Sequence, residues 1–299
     1  MPETRLSIAL DTHPVGTLLR GGTLTDPRVR LDFADVAPIH KAFAPMVREQ
    51  RYDVSELAVV TALQAIAHGH PVAVLPVVVA ARFQRKCLIA HRSRPVTDPA
   101  QLRGRRIGVR AYTQTTGMWV RSHLAEDFGL AADQSQWVTQ DEAHVPEYAD
   151  PPFVDRSLSG SLVEALRSGA VDAAVLGNDL PGGDEFVPVF DRAAQRDRAW
   201  YDAHGYAPVN HLVAVSTEVL ARQPDAVRGA YALLCRAEET AARQAADRQP
   251  DAPRLTRSGA DRLSGPIEEI AAACLAQGLL PRPLTAEEVF GPARDLLAA

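Results

Sequence analysis

A cluster of small polar residues, 112–116, follows the apolar segment 107–109 and precedes a helical pattern that begins near Gly117. The first N–H groups of a helix have no partner inside the helix, and the helix dipole favours negative charge there. This pattern predicts a binding site for a carboxylate or phosphate, with helix capping by a threonine as the alternative. The predicted contacts are Tyr112, Thr113, Gln114, Thr115 and Thr116.

Two arginines, Arg82 and Arg85, follow a buried apolar run that ends near residue 79. Arginine presents a planar guanidinium group that can hold a carboxylate through two parallel hydrogen bonds. We therefore predict that both residues contact an anionic ligand, and the alternative is a solvated surface loop.

An acid and two histidines could move protons. Glu56 lies next to Ser55 at the end of a predicted strand, where burial would raise its pKa and let it hold a proton. The alternative is an acid that pairs with the dipole of the following helix. His13 follows the first strand and His211 opens a late strand, and histidine can donate a proton near neutral pH. Either histidine could instead be structural, and Ser55 is a predicted ligand contact.

Two further positions are candidate contacts. Trp119 could stack on an aromatic ligand or belong to the core, and the sequence supports both equally. Asn178 follows a buried strand and is a candidate polar contact. We predict no cofactor, although Asp179 and Asp184 leave a divalent metal open.

These residues lie between strands and helices that alternate along the chain. The predicted strands cover residues 5–10, 28–36, 52–60, 72–79, 86–92, 105–110, 135–139, 171–177, 185–190 and 209–216. Later helices are predicted at 217–247, 264–278 and 285–298. Such alternation is typical of an α/β fold with mostly parallel sheets that are covered on both faces.

The same pattern predicts two lobes. Crossings near 88–98 and 187–192 give one lobe from 1–90 plus 193–299 and a second from 95–190. Ligands of open α/β sheets bind beyond the carboxyl ends of the strands, so we expect a cleft between the lobes and a hinge motion around an anion.

Composition limits the possible partners. The 299 residues carry a net charge of −5 and no basic run, which argues against nucleic acid and acidic membranes. Three cysteines match no metal pattern, and the first residues contain no apolar segment typical of an export signal. We therefore expect a cytoplasmic protein that binds a small-molecule carboxylate, and a homo-oligomer is left open beside a monomer.

Four stretches carry a resemblance to a known family. Residues 52–63, YDVSELAVVTAL, and 102–124, LRGRRIGVRAYTQTTGMWVRSHL, are similar to motifs of the 4,5-dihydroxyphthalate decarboxylase family. Residues 75–92 and the later LVEALRSGAVDAAVLG and VNHLVAVSTEVL resemble further parts of it, so the likeness spans most of residues 5–225. Ala81 and residues 84–87 depart from the family pattern, which has Ser-Arg and then Arg-His-Ser there.

The resemblance implies a type II periplasmic-binding-protein fold, two-lobed with a hinge and a central cleft. It also implies a decarboxylase without a cofactor that acts on a hydroxylated aromatic carboxylate. In that reaction an acid protonates the ring carbon and CO₂ leaves. We expect His211, His13 or Glu56, in that order, to supply the proton, and residues 112–116 with Arg82 or Arg85 to hold a carboxylate.

Two alternatives remain open. One is a binding protein that delivers a small anion to a transporter. The other is a different enzyme on the same fold, such as those of menaquinone or thiamin-pyrimidine synthesis.

Overall fold

Strands and helices alternate along the chain in the computed structural model, which describes residues 4–177 and 180–297. The strands are β1 (Arg5–Ala9), β2 (Arg30–Phe33), β3 (Val54–Ala58), β4 (Val72–Ala81), β5 (Leu88–His91), β6 (Arg106–Val109), β7 (Gln136–Val138), β8 (Val154–Asp155), β9 (Ala173–Val175), β10 (Phe186–Pro188) and β11 (Val209–Ser216). The helices are α1 (Pro14–Arg20), α2 (Phe43–Glu49), α3 (Val59–Ala67), α4 (Thr115–Phe128), α5 (Leu162–Ser168), α6 (Ala193–His204), α7 (Thr217–Arg222), α8 (Pro224–Arg248), α9 (Ala260–Ala276) and α10 (Ala286–Leu297). The α/β class expected from the sequence is confirmed.

The chain divides into two compact units. The first contains the described residues up to Arg82, Val209–Ala272 and the described residues from Leu280 onward; the second contains Phe83–Pro208 and Ala273–Leu279. The chain therefore passes between units at 82/83, 208/209, 272/273 and 279/280. The sequence analysis expected two crossings, at about 88–98 and 187–192. The difference arises because β5 pairs with β9 and β10, and because α6 packs on the turn before β5.

A five-stranded sheet in the order β2-β1-β3-β11-β4 forms the centre of the first unit. Strand β1 runs parallel to β2 and β3, whereas β11 runs antiparallel to β3 and β4. The start of β11 therefore lies at the same edge of the sheet as the carboxyl end of β3. One face packs on apolar residues of α1 and α8, and the buried strands β3 and β4 supply the other side of this core.

A six-stranded sheet in the order β10-β5-β9-β6-β7-β8 forms the second unit. Strand β6 runs parallel to β7 and β9, and β5 runs antiparallel to β9 and β10. Helix α4 begins directly after the loop that follows β6, so residues 112–116 lie at the carboxyl edge of this sheet.

Two helix boundaries differ from the expected ones. Helix α4 begins at Thr115, two residues before the predicted start, so the polar cluster includes its first turn. The single helix expected at 217–247 is two helices, because Pro224 begins α8 and lacks the N–H that a continuous helix would need. No helix among the described residues is long and apolar enough to cross a membrane.

Candidate active site

Glu56 is the centre of a buried cluster in the first unit. Its side chain is about 1% exposed, and its carboxylate lies within hydrogen-bond distance of three donors. The backbone N–H of Asp11 donates to Oε2 at 2.9 Å, Nε2 of His13 lies 3.1 Å from Oε2, and Nδ1 of His211 lies 2.5 Å from Oε1. The cluster therefore joins the ends of β1 and β3 to the start of β11.

The strand arrangement explains how three distant residues meet. His211 pairs with Ala58 across β3 and β11, and Glu56 pairs with Val213, so Glu56 and His211 are diagonal neighbours on one face of the sheet. His13 comes from the loop that follows β1, which is parallel to β3, and it therefore reaches the same edge.

The charge of Glu56 differs from the expectation. Burial raises the pKa of its carboxyl group, but the hydrogen bonds from His13 and His211 outweigh burial and hold the pKa well below its ordinary value of 4.5. The prediction that Glu56 holds a proton near neutral pH is therefore wrong. Glu56 is a carboxylate that accepts hydrogen bonds from both histidines and from the backbone N–H of Asp11.

His13 uses both ring nitrogens. Its Nδ1 accepts a hydrogen bond from the backbone N–H of Gly16 at 3.2 Å and so caps helix α1. An acceptor nitrogen carries no proton, so the ring proton is on Nε2 and is donated to Glu56. His13 therefore orients the carboxylate through a hydrogen bond, and neither of its ring nitrogens is free to contact a ligand.

His211 uses one nitrogen only. Its Nδ1 faces Glu56, and no described residue hydrogen-bonds to its Nε2. The side chain is 24% exposed, and its ring meets the edge of Phe43 with 5.3 Å between the ring centroids. The carboxylate and the phenyl ring fix the imidazole plane and leave Nε2 available.

A pocket of about 430 Å³ in the first unit has His13 among its lining residues, but neither Glu56 nor His211 lines it. The ring of His13 forms one wall, Val79 and the end of β4 form a second, and alanines of α8 such as Ala241 and Ala245 form a third. A pocket of this size lies in the range that holds small organic ligands.

Ser55 does not join the cluster of Glu56. It is fully buried and its hydroxyl donates to the backbone carbonyl of Glu56 at 2.9 Å. Adjacent residues of a strand point to opposite faces of the sheet, so a position next to Glu56 in sequence is not a position next to its carboxylate.

The polar cluster of the second unit, residues 112–116, is more buried than a solvated cap would be. Tyr112, Thr113, Thr115 and Thr116 are each at most 5% exposed. Tyr112 donates its hydroxyl proton to the carbonyl of Gln277 at 2.8 Å. The hydroxyl of Thr115 and the side-chain carbonyl of Gln114 are buried and have no hydrogen-bond partner, so both could serve a ligand.

Arg85 is held by protein carboxylates. Its guanidinium group donates to Asp127 at 3.0 Å and to Asp197 at 2.8 Å, and its side chain is 1% exposed. These contacts favour a structural role over the predicted ligand contact. Arg82 directly follows β4 and is half-buried, so its predicted role stays a prediction.

The remaining candidates fall outside any cluster with Glu56. Trp119 is buried, stacks on His123 at 5.9 Å between ring centroids and meets Trp200 edge-on, which favours the core alternative. Asn178 and Asp179 lie outside the described residues. Asp184 is exposed, and the residues that the structure describes contain no group of three metal-ligating side chains.

Several site residues gave no signal in the sequence analysis. Asp11 acts through its backbone N–H, which no residue pattern reveals. The capping role of His13 could have been recognised, because Pro14 at the first helical position marks the start of a helix. Phe43 acts through packing with the ring of His211, which is far away in sequence.

Comparison with solved structures defines the class of fold. The alkanesulfonate-binding protein SsuA from Xanthomonas axonopodis pv. citri matches with a TM-score of 0.59 and 14% identity over 97% of this chain and 99% of that chain. SsuA from Escherichia coli gives a TM-score of 0.62 with 12% identity, over 97% of this chain and 92% of that one. The desulfurization enzyme DszB gives 0.56 with 16% identity, over 99% of both chains. The chain therefore has the periplasmic-binding-protein fold.

Sequence comparison gives a narrower relationship. A 4,5-dihydroxyphthalate decarboxylase from Comamonas testosteroni is 27% identical over 248 residues, which cover 75% of this chain and 72% of the relative. A protein of the same name from Pseudomonas putida is 32% identical over 145 residues, which cover 46% of this chain and 54% of the relative. No protein-family model matches the chain. The resemblance inferred from the motifs is confirmed, and the chain is a homologue of these proteins.

Proposed function

We propose that the chain is a decarboxylase of a hydroxylated, phthalate-like aromatic carboxylate and works without a cofactor. The observation that carries this proposal is the pairing of His211 with the buried carboxylate of Glu56, which leaves Nε2 of His211 able to present a proton. The names of the two relatives support the substrate class.

The proposed reaction begins with His211 in its protonated form. Nδ1–H donates to Glu56, whose negative charge stabilises the imidazolium ion, and Nε2–H faces the substrate. A ring hydroxyl ortho or para to the carboxylate raises the electron density of the carbon that bears it. That carbon takes the proton from Nε2, and the ring loses aromaticity.

The carbon–carbon bond to the carboxylate then breaks. Its electron pair returns to the ring and restores aromaticity, and CO₂ leaves. The transferred proton remains as the new ring C–H bond, and His211 takes up another proton from water. No electrons are exchanged with an external donor, so the reaction balances without a redox partner.

One further observation concerns the binding of the substrate. We assign carboxylate recognition to residues 112–116, where the hydroxyl of Thr115 lacks a partner and helix α4 begins. Arg82 is retained as a proposed contact, and Arg85 is not.

The test is mass spectrometry of the purified protein with hydroxylated phthalates, hydroxybenzoates and heteroaromatic carboxylates. Loss of the mass of CO₂ from one compound, and no loss with the His211→Asn variant, is the expected result. Binding without a mass change would instead favour the second candidate, a binding protein for a small anion. That candidate is supported by the solved binding proteins that share the fold.

A further inference from the structure

Arg121 is a buried cation without a buried acid. Its side chain is fully enclosed in the second unit, and none of the described carboxylates forms an ion pair with it. Asp150 influences it electrostatically but is already paired with Arg156 at 2.7 Å. A charge in this position is costly unless something else in the protein or a ligand compensates it.

Neutral groups hold the guanidinium in place. Its Nε donates to the side-chain carbonyl of Gln277 at 2.7 Å, and Nη2 donates to the backbone carbonyl of Tyr112 at 2.8 Å. The ring of Tyr112 lies 3.9 Å from the guanidinium carbon, and the ring of Trp137 lies 4.9 Å from it. These contacts fix the position of the charge but do not neutralise it.

The remaining nitrogen, Nη1, is buried and has no hydrogen-bond partner among the residues that the structure describes. It lies under the first turn of α4, since a Cβ atom added to Gly117 would be 3.2 Å away. Only glycine leaves this space for the guanidinium. The positive charge is thus positioned beneath residues 112–116, whose own buried hydroxyl at Thr115 is also without a partner.

We infer that Arg121 is a positioning residue that supplies positive charge for anion recognition by residues 112–116. Its charge lies beneath the first turn of α4 and attracts the anion without contacting it. This inference rests on the proposed function in one respect, because it takes the ligand to be an aromatic carboxylate. Arg121 would thus supply the positive charge for anion binding that the sequence analysis expected from Arg85. If the charge of Arg121 matters, the loss of affinity in its variants should grow with the charge of the ligand. A packing effect should be the same for both ligands.

The test measures the affinity of phthalate and benzoate by titration calorimetry at fixed ionic strength. A unit charge at about 10 Å in protein surroundings changes the affinity for a monoanion by roughly 10-fold and for a dianion by roughly 100-fold. We expect Arg121→Gln to show this graded loss, and Arg121→Lys to retain most of the affinity because it keeps the charge.

A second variant neutralises the charge and keeps the guanidinium. Gln277→Glu would set a carboxylate against Nε of Arg121 and should give the same graded loss. If Arg121→Gln does not fold, Gln277→Glu still tests whether the charge of Arg121 supports anion binding. Gln101→Glu is the control, since it makes the same change at an exposed position of the second unit and should leave both affinities unchanged.

Equal losses for phthalate and benzoate would show a packing effect and would overturn the inference, as would unchanged affinities. Failure of the native protein to bind either anion would overturn it as well. A graded loss of affinity in a protein that releases no CO₂ would support the role of Arg121 in anion binding and would contradict the proposed decarboxylation.

Discussion

Nδ1 of His211 lies 2.5 Å from Oε1 of Glu56, and this contact decides which nitrogen of His211 is available for chemistry. The other oxygen of Glu56 accepts from His13, whose second nitrogen is used by the cap of helix α1. The two histidines therefore flank one carboxylate but are not equivalent. Only His211 has a ring nitrogen, Nε2, to which no described residue forms a hydrogen bond.

This asymmetry predicts different effects of the same substitution. His211→Asn keeps a donor near Glu56 but removes the acid, so turnover should fall at least ~100-fold. His13→Asn keeps the cap on Gly16 and loses only a contact to Glu56, so the decrease should be roughly 10-fold. Single-turnover kinetics on the substrate found by mass spectrometry would measure both. A larger loss for His13→Asn would contradict our assignment of the proton donor.

The lowered pKa of Glu56 predicts how stability depends on pH. The folded protein holds this carboxyl group ionised below its ordinary pKa of 4.5, so its contribution is present above that pH and is lost as the pH falls further. Glu56→Gln should lower the free energy of unfolding by roughly 2–3 kcal/mol near neutral pH. The difference from the native protein should shrink in acid.

Urea unfolding from about pH 7 to about pH 3.5 would measure this difference. Glu218→Gln is the matched control, because Glu218 is 71% exposed and should show little change at any pH. A destabilisation by Glu56→Gln that stays constant, or grows in acid, would contradict the lowered pKa.

The order of strands could be predicted from the sequence because apolar runs of strand length alternate with helical patterns. The sequence singled out His13, Glu56 and His211 one by one but did not predict their contact. His211 reaches Glu56 because β11 runs antiparallel to β3, which the sequence does not reveal. The charge of Glu56 did not follow, because it depends on a backbone N–H of Asp11 and on the side chains that surround the carboxylate.

The role of Arg85 could not be predicted for a different reason. Its partners Asp127 and Asp197 are 42 and 112 residues away along the chain, so no local pattern connects them. An arginine in a loop after a strand looks the same in sequence whether it meets a ligand or a buried aspartate. Arg121 gave no signal for a similar reason, because Gln277, which holds its Nε, is 156 residues away along the chain.

The ion pairs of Arg85 predict a structural effect without a binding effect. Arg85→Met leaves the buried Asp197 without its ion-pair partner and Asp127 with only Arg196 at 3.9 Å, so it should cost about 3–5 kcal/mol of unfolding free energy. The KM of the folded variant should not change. Arg198→Met is the control, because it breaks a pair with Asp202 in which both side chains are 54% exposed. A raised KM in a variant of native stability would restore Arg85 as a ligand contact.

The loop that brings Asp11 over Glu56 predicts a strict requirement for Gly16. A Cβ atom at this position would overlap the carbonyl oxygen of Asp11, so Gly16→Ala must displace the loop and its N–H donor to Glu56. We expect a loss of about 3 kcal/mol or more of unfolding free energy together with reduced turnover.

Gly21, at the other end of the same helix, has a φ of −65°, and the nearest atom to an added Cβ is 3.4 Å away. Gly21→Ala should therefore change stability by less than about 1 kcal/mol. Equal behaviour of the two variants in thermal unfolding would show that the loop does not depend on Gly16.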